Sequence, residues 1–364
     1  MVSDQKTFSY SKILRHRRCR RPSDTVKLKM ISPVCNLALR RAGFIACVAA
    51  LLGVAGVADA AVKLSAAQRY VITGNAAFQA HDYHTALHDW SLAARPWHGY
   101  PGNKIAQTNL GLLYLDGDGV AKSAGIAASW YRRAALQGDA QAENNLGTLY
   151  EQGLGLRQSD RAAIHWYRLA ARQGFAPGEY NLAVMAQSGR GMDQNLPMAA
   201  RWYRAAALQG NAQAADDLGV LYQTGRGVPR QLAFAAHWFQ RSAQAGDAKA
   251  QYSYGYLLQT GQGVSRNGAE AARWFRLAAK QGIAPAQFAL GVMAEQGVQM
   301  KRTPPEAAQW YAKAAAGGYW PAAYNLGRMY QLGEGIPRDP SLAARWFTFA
   351  RRLGAPVRLL SSGV

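Results

Sequence analysis

Three histidines lie close enough together to suggest a metal site. His81, His84 and His88 fall within one short segment, and the last two are four residues apart, which puts them on one face of a helix. A zinc site needs three or four ligands in a fixed geometry, and no outlying ligand accompanies this group. The sequence therefore predicts neither a metal nor any other cofactor, and these histidines are interpreted as part of an ordinary helix.

No other residue pattern in the sequence indicates a catalytic site. No nucleophile stands with a base, no acidic dyad occurs, and the recurring Gly-x-Gly elements end helices instead of following a strand, so they are not nucleotide-binding loops. The three cysteines, Cys19, Cys35 and Cys47, all precede residue 60, which excludes disulfides and thiolate zinc sites from the remainder. The sequence predicts a binding protein and not an enzyme.

Two rows of side chains could hold a partner protein. An Asn amide can bond to both the N–H and the C=O of an extended backbone, and a Tyr ring offers a large apolar contact with a polar tip. The alternative is that both rows serve bonding and packing between neighbouring repeats. The candidates are Asn109, Asn145, Asn181 and Asn325 in one row, which continues through Asp217, Ser253 and Ala289, and Tyr180, Tyr252, Tyr256 and Tyr324 in the other.

Arginines form two further columns, which are three residues apart and therefore share one helix face. They predict a basic outer face. Its alternatives are simple solvation, or attraction to acidic envelope polymers or lipid head groups. The members are Arg132, Arg168, Arg204 and Arg276 after an aromatic pair, and Arg201, Arg273 and Arg345 before it.

A period of 36 residues positions all of these side chains. Trp followed by Tyr or Phe recurs at this step without an insertion, and Gly recurs eight residues after each Trp. Such a period indicates a repeat protein whose units bury their apolar faces only against their neighbours. We expect the tryptophans to form the interior spine, so that Trp238→Ala costs about 3–5 kcal/mol of stability. They are Trp130, Trp166, Trp202, Trp238, Trp274, Trp310 and Trp346.

Each repeat is predicted to contain two helices. Apolar residues fall at helical spacing in AENNLGTLYEQG (142–153) and in DRAAIHWYRLAARQG (160–174). Gly153 and Gly174 stop these helices, and the small residue Gly147 lets the two approach closely. Helices should start at a capping Asp or Asn, or at a Pro in the first turn. The caps are Asp139, Asn211 and Asp247, and the prolines are Pro177, Pro285 and Pro321.

These columns resemble the Sel-one-like repeat family, a variant of the tetratricopeptide repeat. The resemblance is carried by NLGLLYLDGDGV at 109–120, WYRRAALQGDAQAENNLGTLYEQGLG at 130–155 and WYRAAALQGNAQAADDLGVLYQTGRGV at 202–228, and it covers 102–354. It implies an all-α, right-handed α/α superhelical solenoid of about eight helix-turn-helix repeats. First helices would line the concave surface, and the role would be that of a scaffold or adaptor, as in exported bacterial members. The family offers no catalytic residues to transfer.

The remaining segments complete the predicted domain organisation. A divergent tetratricopeptide-like hairpin and an aromatic linker are expected at 61–101, and a short tail at 355–364. Residues 1–60 are interpreted as a basic leader and a signal peptide. Arg40 and Arg41 precede an uncharged run at 42–58, and an Ala-x-Ala pattern predicts cleavage after Ala60. The run is short for a span of about 20 residues, so an inner-membrane anchor is the alternative.

The distribution of charge along the sequence indicates what kind of partner to expect. The formal charge of the chain is +21, and the first 60 residues hold eleven Lys/Arg and three Asp/Glu, which leaves +13 for the rest. This balance suggests an acidic partner, and export argues against nucleic acid. The sequence thus predicts a periplasmic or secreted protein-interaction scaffold at the cell envelope. One alternative is a binder of envelope glycan or peptidoglycan. Another is a β-lactam-hydrolysing enzyme like some cysteine-rich relatives, which the absence of cysteine after residue 60 disfavours.

Overall fold

The computed structural model describes residues 65–96, 99–299 and 301–356. Every secondary-structure element within these ranges is an α-helix, as expected of an all-α repeat solenoid. None of these helices is long and apolar enough to cross a membrane. The predicted leader and signal peptide, and nearly all of the predicted tail, lie outside the described residues. The chain divides into two compact units, with the boundary between Gln137 and Gly138.

The first unit contains two helical hairpins. Trp90 takes the interior position of its first hairpin, where it is only 2% exposed and lies directly against Gly74. The Trp90 indole N–H donates to the Asn75 side-chain oxygen at 3.1 Å, which satisfies its one polar atom. The helices are α1 (Ala66–Gln79), α2 (Tyr83–Ala94), α3 (Lys104–Asp116) and α4 (Ala124–Ala135).

The second unit repeats the hairpin six times. The two helices of each hairpin pack along each other, and each second helix then packs on the first helix of the next hairpin. The first helices are α5 (Ala140–Gln152), α7 (Ala176–Ser188), α9 (Ala212–Thr224), α11 (Ala248–Thr260), α13 (Ala284–Gln296) and α15 (Trp320–Leu332). The second helices are α6 (Asp160–Arg172), α8 (Leu196–Leu208), α10 (Leu232–Gln244), α12 (Gly268–Lys280), α14 (Pro304–Ala316) and α16 (Pro340–Arg352).

Helix starts follow the two predicted patterns. The Asp139 carboxylate accepts the N–H of Ala142 at 2.8 Å, and Asn211 and Asp247 cap their helices in the same way. Where the cap residue has no such oxygen, as at Phe175, a Pro stands in the first turn. The predicted helix starts are therefore confirmed, and they fix the first helices in one register.

A small residue in each first helix, Gly in all but α7, which has Ala183, sets the distance between the two helices of a hairpin. A Cβ added to Gly147 would lie 2.7 Å from the Tyr167 ring, and one added to Gly219 would lie 2.7 Å from the Phe239 ring. The aromatic ring of the second helix thus occupies the space that a side chain would need. This contact explains the column of small residues in the sequence.

The predicted tryptophan spine is corrected by these contacts. The interior position belongs to the next residue in the sequence, since Tyr131, Tyr167, Tyr203, Phe239, Phe275 and Tyr311 are all less than 2% exposed. Among the seven tryptophans only Trp238 is buried, at 5% exposure, and the other six are half-buried. Neighbouring helical residues point about 100° apart, so only one member of the aromatic pair can face the glycine. The indole is left at the edge of the hairpin.

A polar contact ties most first helices, though not α9 or α15, to the second helices next to them. The Gln251 amide donates to the Ala243 carbonyl of the preceding second helix at 3.3 Å, and its oxygen accepts from Gln281 at 2.9 Å. Equivalent pairs, thirty residues apart, join Gln137 to Gln107, Gln173 to Glu143 and Gln209 to Glu179. In the repeat formed by α9 and α10, Ala215 stands in place of the first member of this pair and Ala245 in place of the second. Both members of the pair are absent there, whereas the repeat at 284–319 keeps Gln287, which still donates to the Ala279 carbonyl at 3.1 Å, with Gly317 at the second position.

Candidate protein-binding site

The first helices of the second unit carry both predicted partner-binding rows side by side. We call the pair of adjacent positions that recurs every 36 residues the first-helix row. All of its side chains are half-buried except Asn144, which is buried. The row consists of Asn144–Asn145, Tyr180–Asn181, Asp216–Asp217, Tyr252–Ser253, Phe288–Ala289 and Tyr324–Asn325.

Several predicted Asn residues bond within the protein. The Asn181 amide donates to the Asn144 oxygen at 2.8 Å, which links the first helices of neighbouring repeats. Asn325 donates to the Tyr311 hydroxyl, and in the first unit Asn109 donates to Asn75 at 2.9 Å. These three amides therefore hold the hairpins together, as the structural alternative requires.

The tyrosines of the row rest on the buried aromatic layer. The Tyr180 ring lies 5.8 Å from that of Tyr203, and the Tyr252 ring lies 5.8 Å from that of Phe275. Tyr324 contacts Phe347 in the same way. Tyr256, one turn after Tyr252, is 40% exposed. Each ring thus packs on one side and leaves another side toward solvent, which suits it to contact a ligand.

The first-helix row changes from aromatic and amide side chains to acidic side chains at α9. Asp216 stands where the neighbouring repeats have an aromatic ring, and Asp217 stands where most have Asn. The Tyr180 hydroxyl bonds to the Asp217 carboxylate, whereas the buried Oδ1 atom of Asp216 has no hydrogen-bond partner. An unpaired buried carboxylate oxygen is costly, so this position is not optimised for stability.

Electrostatics in this part of the row favour a neutral or paired carboxyl group. Burial, with smaller contributions from Asp247 and Asp217, raises the pKa of Asp216 to about 7, opposed by Lys249. Burial likewise raises the pKa of Asp217 to about 6, opposed by the Tyr180 hydrogen bond and by Lys249. A cationic group placed between these carboxylates would restore the charged form of both.

The predicted basic face lies on the second helices. All seven arginines predicted there are exposed, on both sides of the boundary between the two units. Nearby cations also cover indole rings, since Arg133 lies 4.7 Å from the Trp130 ring centre, and Lys313 lies 4.5 Å from that of Trp310. The structure thus separates the Arg columns from the Asn and Tyr rows.

An ion-pair network that the sequence patterns did not indicate joins two repeats. Arg190, from the Gly-x-Gly loop after α7, donates to Glu151 and to Asp160 at 2.8 Å each. Glu151 is 8% exposed and also accepts the Tyr167 hydroxyl at 2.7 Å. Glu295 and Tyr311 occupy the same positions in a later repeat, where Arg328 from within α15 supplies the cation in place of a loop arginine. The two arginines stand at different positions of the repeat, so no column in the sequence marks this network.

The histidines have ordinary contacts. The His81 ring bonds to the Tyr83 hydroxyl at 2.9 Å, and the His88 ring bonds to the Asp89 carboxylate at 3.1 Å. Within the described ranges, no three His, Cys, Asp or Glu side chains form a group that could hold a metal ion.

Comparison with a family model decides what the repeats are. The Sel1 repeat model matches seven consecutive segments, at 104–139, 140–175, 176–211, 212–247, 248–283, 284–319 and 320–354. The chain belongs to the Sel1-repeat family. Proteins with Sel1 repeats are generally protein-interaction scaffolds and are typically not catalytic. A search of curated proteins gives no match.

Two solved structures support the same fold. A protective antigen of uropathogenic Escherichia coli with an SLR fold is 33% identical, with a TM-score of 0.74 over 79% of this chain. The present chain covers 62% of that antigen. A Sel1 repeat protein from Oxalobacter formigenes is 31% identical, with a TM-score of 0.58, and the match covers 67% of this chain and 96% of that one. The predicted repeat solenoid is therefore confirmed.

Proposed function

We propose that this Sel1-repeat protein is an exported scaffold that binds an extended, basic segment of a partner protein on α7, α9 and α11. The observation that carries the proposal is the change in the first-helix row at Asp216, where a carboxylate with one unpaired oxygen replaces an aromatic ring. Tyr180 on one side, and Tyr252 with Tyr256 on the other, supply apolar contacts for the neighbouring residues of the segment. A Lys or Arg side chain would reach Asp216 between them.

The proposed partner has local chemistry opposite to that suggested by the net charge. An acidic partner fits the exposed arginines of the second helices, whereas a basic segment fits the first-helix row. The two faces can therefore bind different ligands at the same time, as a scaffold requires. The proposed place of action is the cell envelope, reached through the predicted signal peptide. A mature chain that begins at Ala61 is the expected result of N-terminal sequencing, and a cytosolic chain with an intact leader would contradict export.

The binding proposal is tested by site-specific photo-crosslinking in intact cells. A photoreactive residue replaces Tyr256 in one strain and the exposed Gln309 of α14 in the control strain. We expect the partner with the basic segment to be captured from position 256 and not from position 309, and Asp216→Lys should abolish its capture because it reverses the charge at the proposed contact. Asp193→Lys makes the same charge change in an exposed loop and should leave capture intact. Equal capture in the two lysine variants would refute the assigned site.

Binding to the first-helix row should depend on pH. Because the pKa of Asp216 is about 7, the group is mostly neutral at pH 5.5 and charged at pH 8. A cationic segment should therefore bind more weakly at pH 5.5, by about tenfold for the loss of one charge-assisted contact. Isothermal titration with the captured partner measures this difference, and Asp216→Asn should remove most of it. A pH profile that is unchanged in this variant would mean that another group controls binding.

A further inference from the structure

Charge in the second unit is sorted between the two kinds of helix. Its first helices hold six acidic and two basic side chains, whereas its second helices hold three acidic and thirteen basic ones. The positive charge is thus carried mainly by one layer of the repeats. Since the two layers have the same fold and comparable length, the stacking of the helices does not require this difference.

Most of these cations lie on a single line along each second helix. Counted from the Trp of each helix, the line contains the fifth and the first residue before it and the second and the sixth residue after it. Successive members are therefore four, three and four residues apart, which places them on one helix face. We call this face, over all six second helices, the basic stripe. In α6 its members are Arg161, His165, Arg168 and Arg172, all exposed. Of its 24 positions, 22 are exposed, ten are Arg or Lys, and none is acidic.

The three acidic side chains of the second helices lie outside the basic stripe, and each accepts a hydrogen bond. Asp160 accepts from Arg190 at 2.8 Å, Glu270 accepts from the Trp274 indole at 3.4 Å, and Glu306 accepts from the Trp310 indole at 3.2 Å. A solvated helix face normally mixes both signs, because opposite charges four apart attract and like charges repel. A face whose charges all have one sign, carried by four of the six helices, therefore points to an anionic ligand.

The side-chain types indicate which anion. Nine of the ten cations in the stripe are Arg, whose planar guanidinium binds two oxygens of a phosphate group at once. Large apolar side chains are exposed on the same helices, with Leu208 on α8 at 57%, Phe234 on α10 at 52% and Leu277 on α12 at 44%. Phosphate next to an apolar phase is the chemistry of a phospholipid surface, which a charged polysaccharide does not offer.

We propose that the basic stripe binds the anionic surface of a phospholipid bilayer. The arginines of α6, α8 and α12 contact lipid phosphates, and Leu208, Phe234 and Leu277 reach the boundary between head groups and acyl chains. This site lies on the helix layer opposite to the one assigned to the partner segment. A protein bound in this way would recruit its partner to the membrane surface.

Sedimentation with vesicles tests the proposal. The full chain is mixed with vesicles of phosphatidylcholine alone or with one third phosphatidylglycerol, and binding is expected only to the second kind, falling as salt rises. Reversal of three stripe charges, Arg168→Glu, Arg204→Glu and Arg276→Glu, should weaken binding by about tenfold or more, since each basic group near an anionic leaflet contributes separately. The control reverses three exposed loop arginines, Arg157, Arg226 and Arg266, and should bind nearly as the unaltered chain does.

A second variant separates lipid from other polyanions. Phe234→Ser with Leu208→Ser keeps every charge and should weaken binding to vesicles while leaving binding to sulfated dextran unchanged. Circular dichroism establishes that all variants are folded. The proposal is overturned if the stripe variant binds vesicles as well as the loop variant does, which would assign binding to another part of the chain. It is also overturned if the serine variant loses nothing, which would indicate a soluble polyanion as the ligand.

Discussion

At the scale of single residues, the first-helix row shows a conflict between stability and binding. Asp216 and Asp217 stand among aromatic and amide side chains that pack or bond well in the other repeats. Burial raises the pKa of both, which means that the fold disfavours their charged forms. Residues that reduce stability at one repeat only are expected where a protein contacts a ligand.

Asp216→Asn should therefore stabilise the protein in a pH-dependent manner. The folded-state pKa of about 7 exceeds the value of about 3.9 for unfolded Asp, so the folded state binds the extra proton between these values. Stability consequently falls as pH rises through this window. We expect the variant to gain about 1–3 kcal/mol at pH 8 and almost nothing near pH 4.

Thermal unfolding at the two pH values measures this gain. Asp193→Asn, in an exposed loop, serves as the control and should show no difference between them. If Asp216→Asn shifted the melting temperature equally at pH 4 and pH 8, then the charge of Asp216 would not be the cause.

At the scale of the helices, the 36-residue period predicted the elements well and the packing less well. Helix starts and stops depend on local residues, such as the Asp139 cap and the Gly153 stop, and these are visible in the sequence. Which member of Trp166–Tyr167 faces the core depends on the position of Gly147 in another helix. The same holds for the Arg190–Glu151 pair, whose members belong to different repeats.

The aromatic pairs give a direct test of hairpin packing. Tyr203→Ala should cost about 3–5 kcal/mol because its ring is fully buried against α7, whereas Trp202→Ala should cost about 1–3 kcal/mol because the indole is half-buried. Trp238→Ala should cost about 3–5 kcal/mol, because this indole is buried. Urea unfolding of the three variants compares these costs. A larger loss for Trp202→Ala than for Tyr203→Ala would restore the tryptophan spine.

At the scale of the molecule, the row and the stripe depend on different layers of the same repeats. The sequence predicted both the Arg columns and the Asn and Tyr rows, but the sorting of acidic and basic groups emerges only when each is assigned to a helix. The Asn row in the sequence includes Asp217, whereas nothing in the sequence alone marks Asp216 as an exception. Its aromatic equivalents have to be aligned on neighbouring helices first.

Removal of whole repeats should separate folding from binding. Deletion of 212–247 removes Asp216 and Asp217 and joins the Asn211 cap to α11, and deletion of 284–319 removes a repeat of equal length that lacks them. Both proteins should remain helical, because each repeat contacts only its neighbours. Only the first should lose the partner captured from position 256. A loss of helical circular dichroism in either protein would show that the unit does not tolerate removal of a repeat.

The paired polar residues within hairpins bear on how such a chain can evolve. Gln251 and Gln281 lie in one 36-residue segment, as do Glu179 and Gln209, and the pair is replaced by Ala215 and Ala245 in a single segment. Gene duplication or unequal crossing-over that copies a complete segment transmits both partners together. An exchange that begins inside a segment would separate the two partners, and the segment 284–319, which has Gln287 with Gly317, shows the result of losing one of them. Selection on this bond alone would favour repeat numbers that change by whole units, in agreement with the uninterrupted register of this chain.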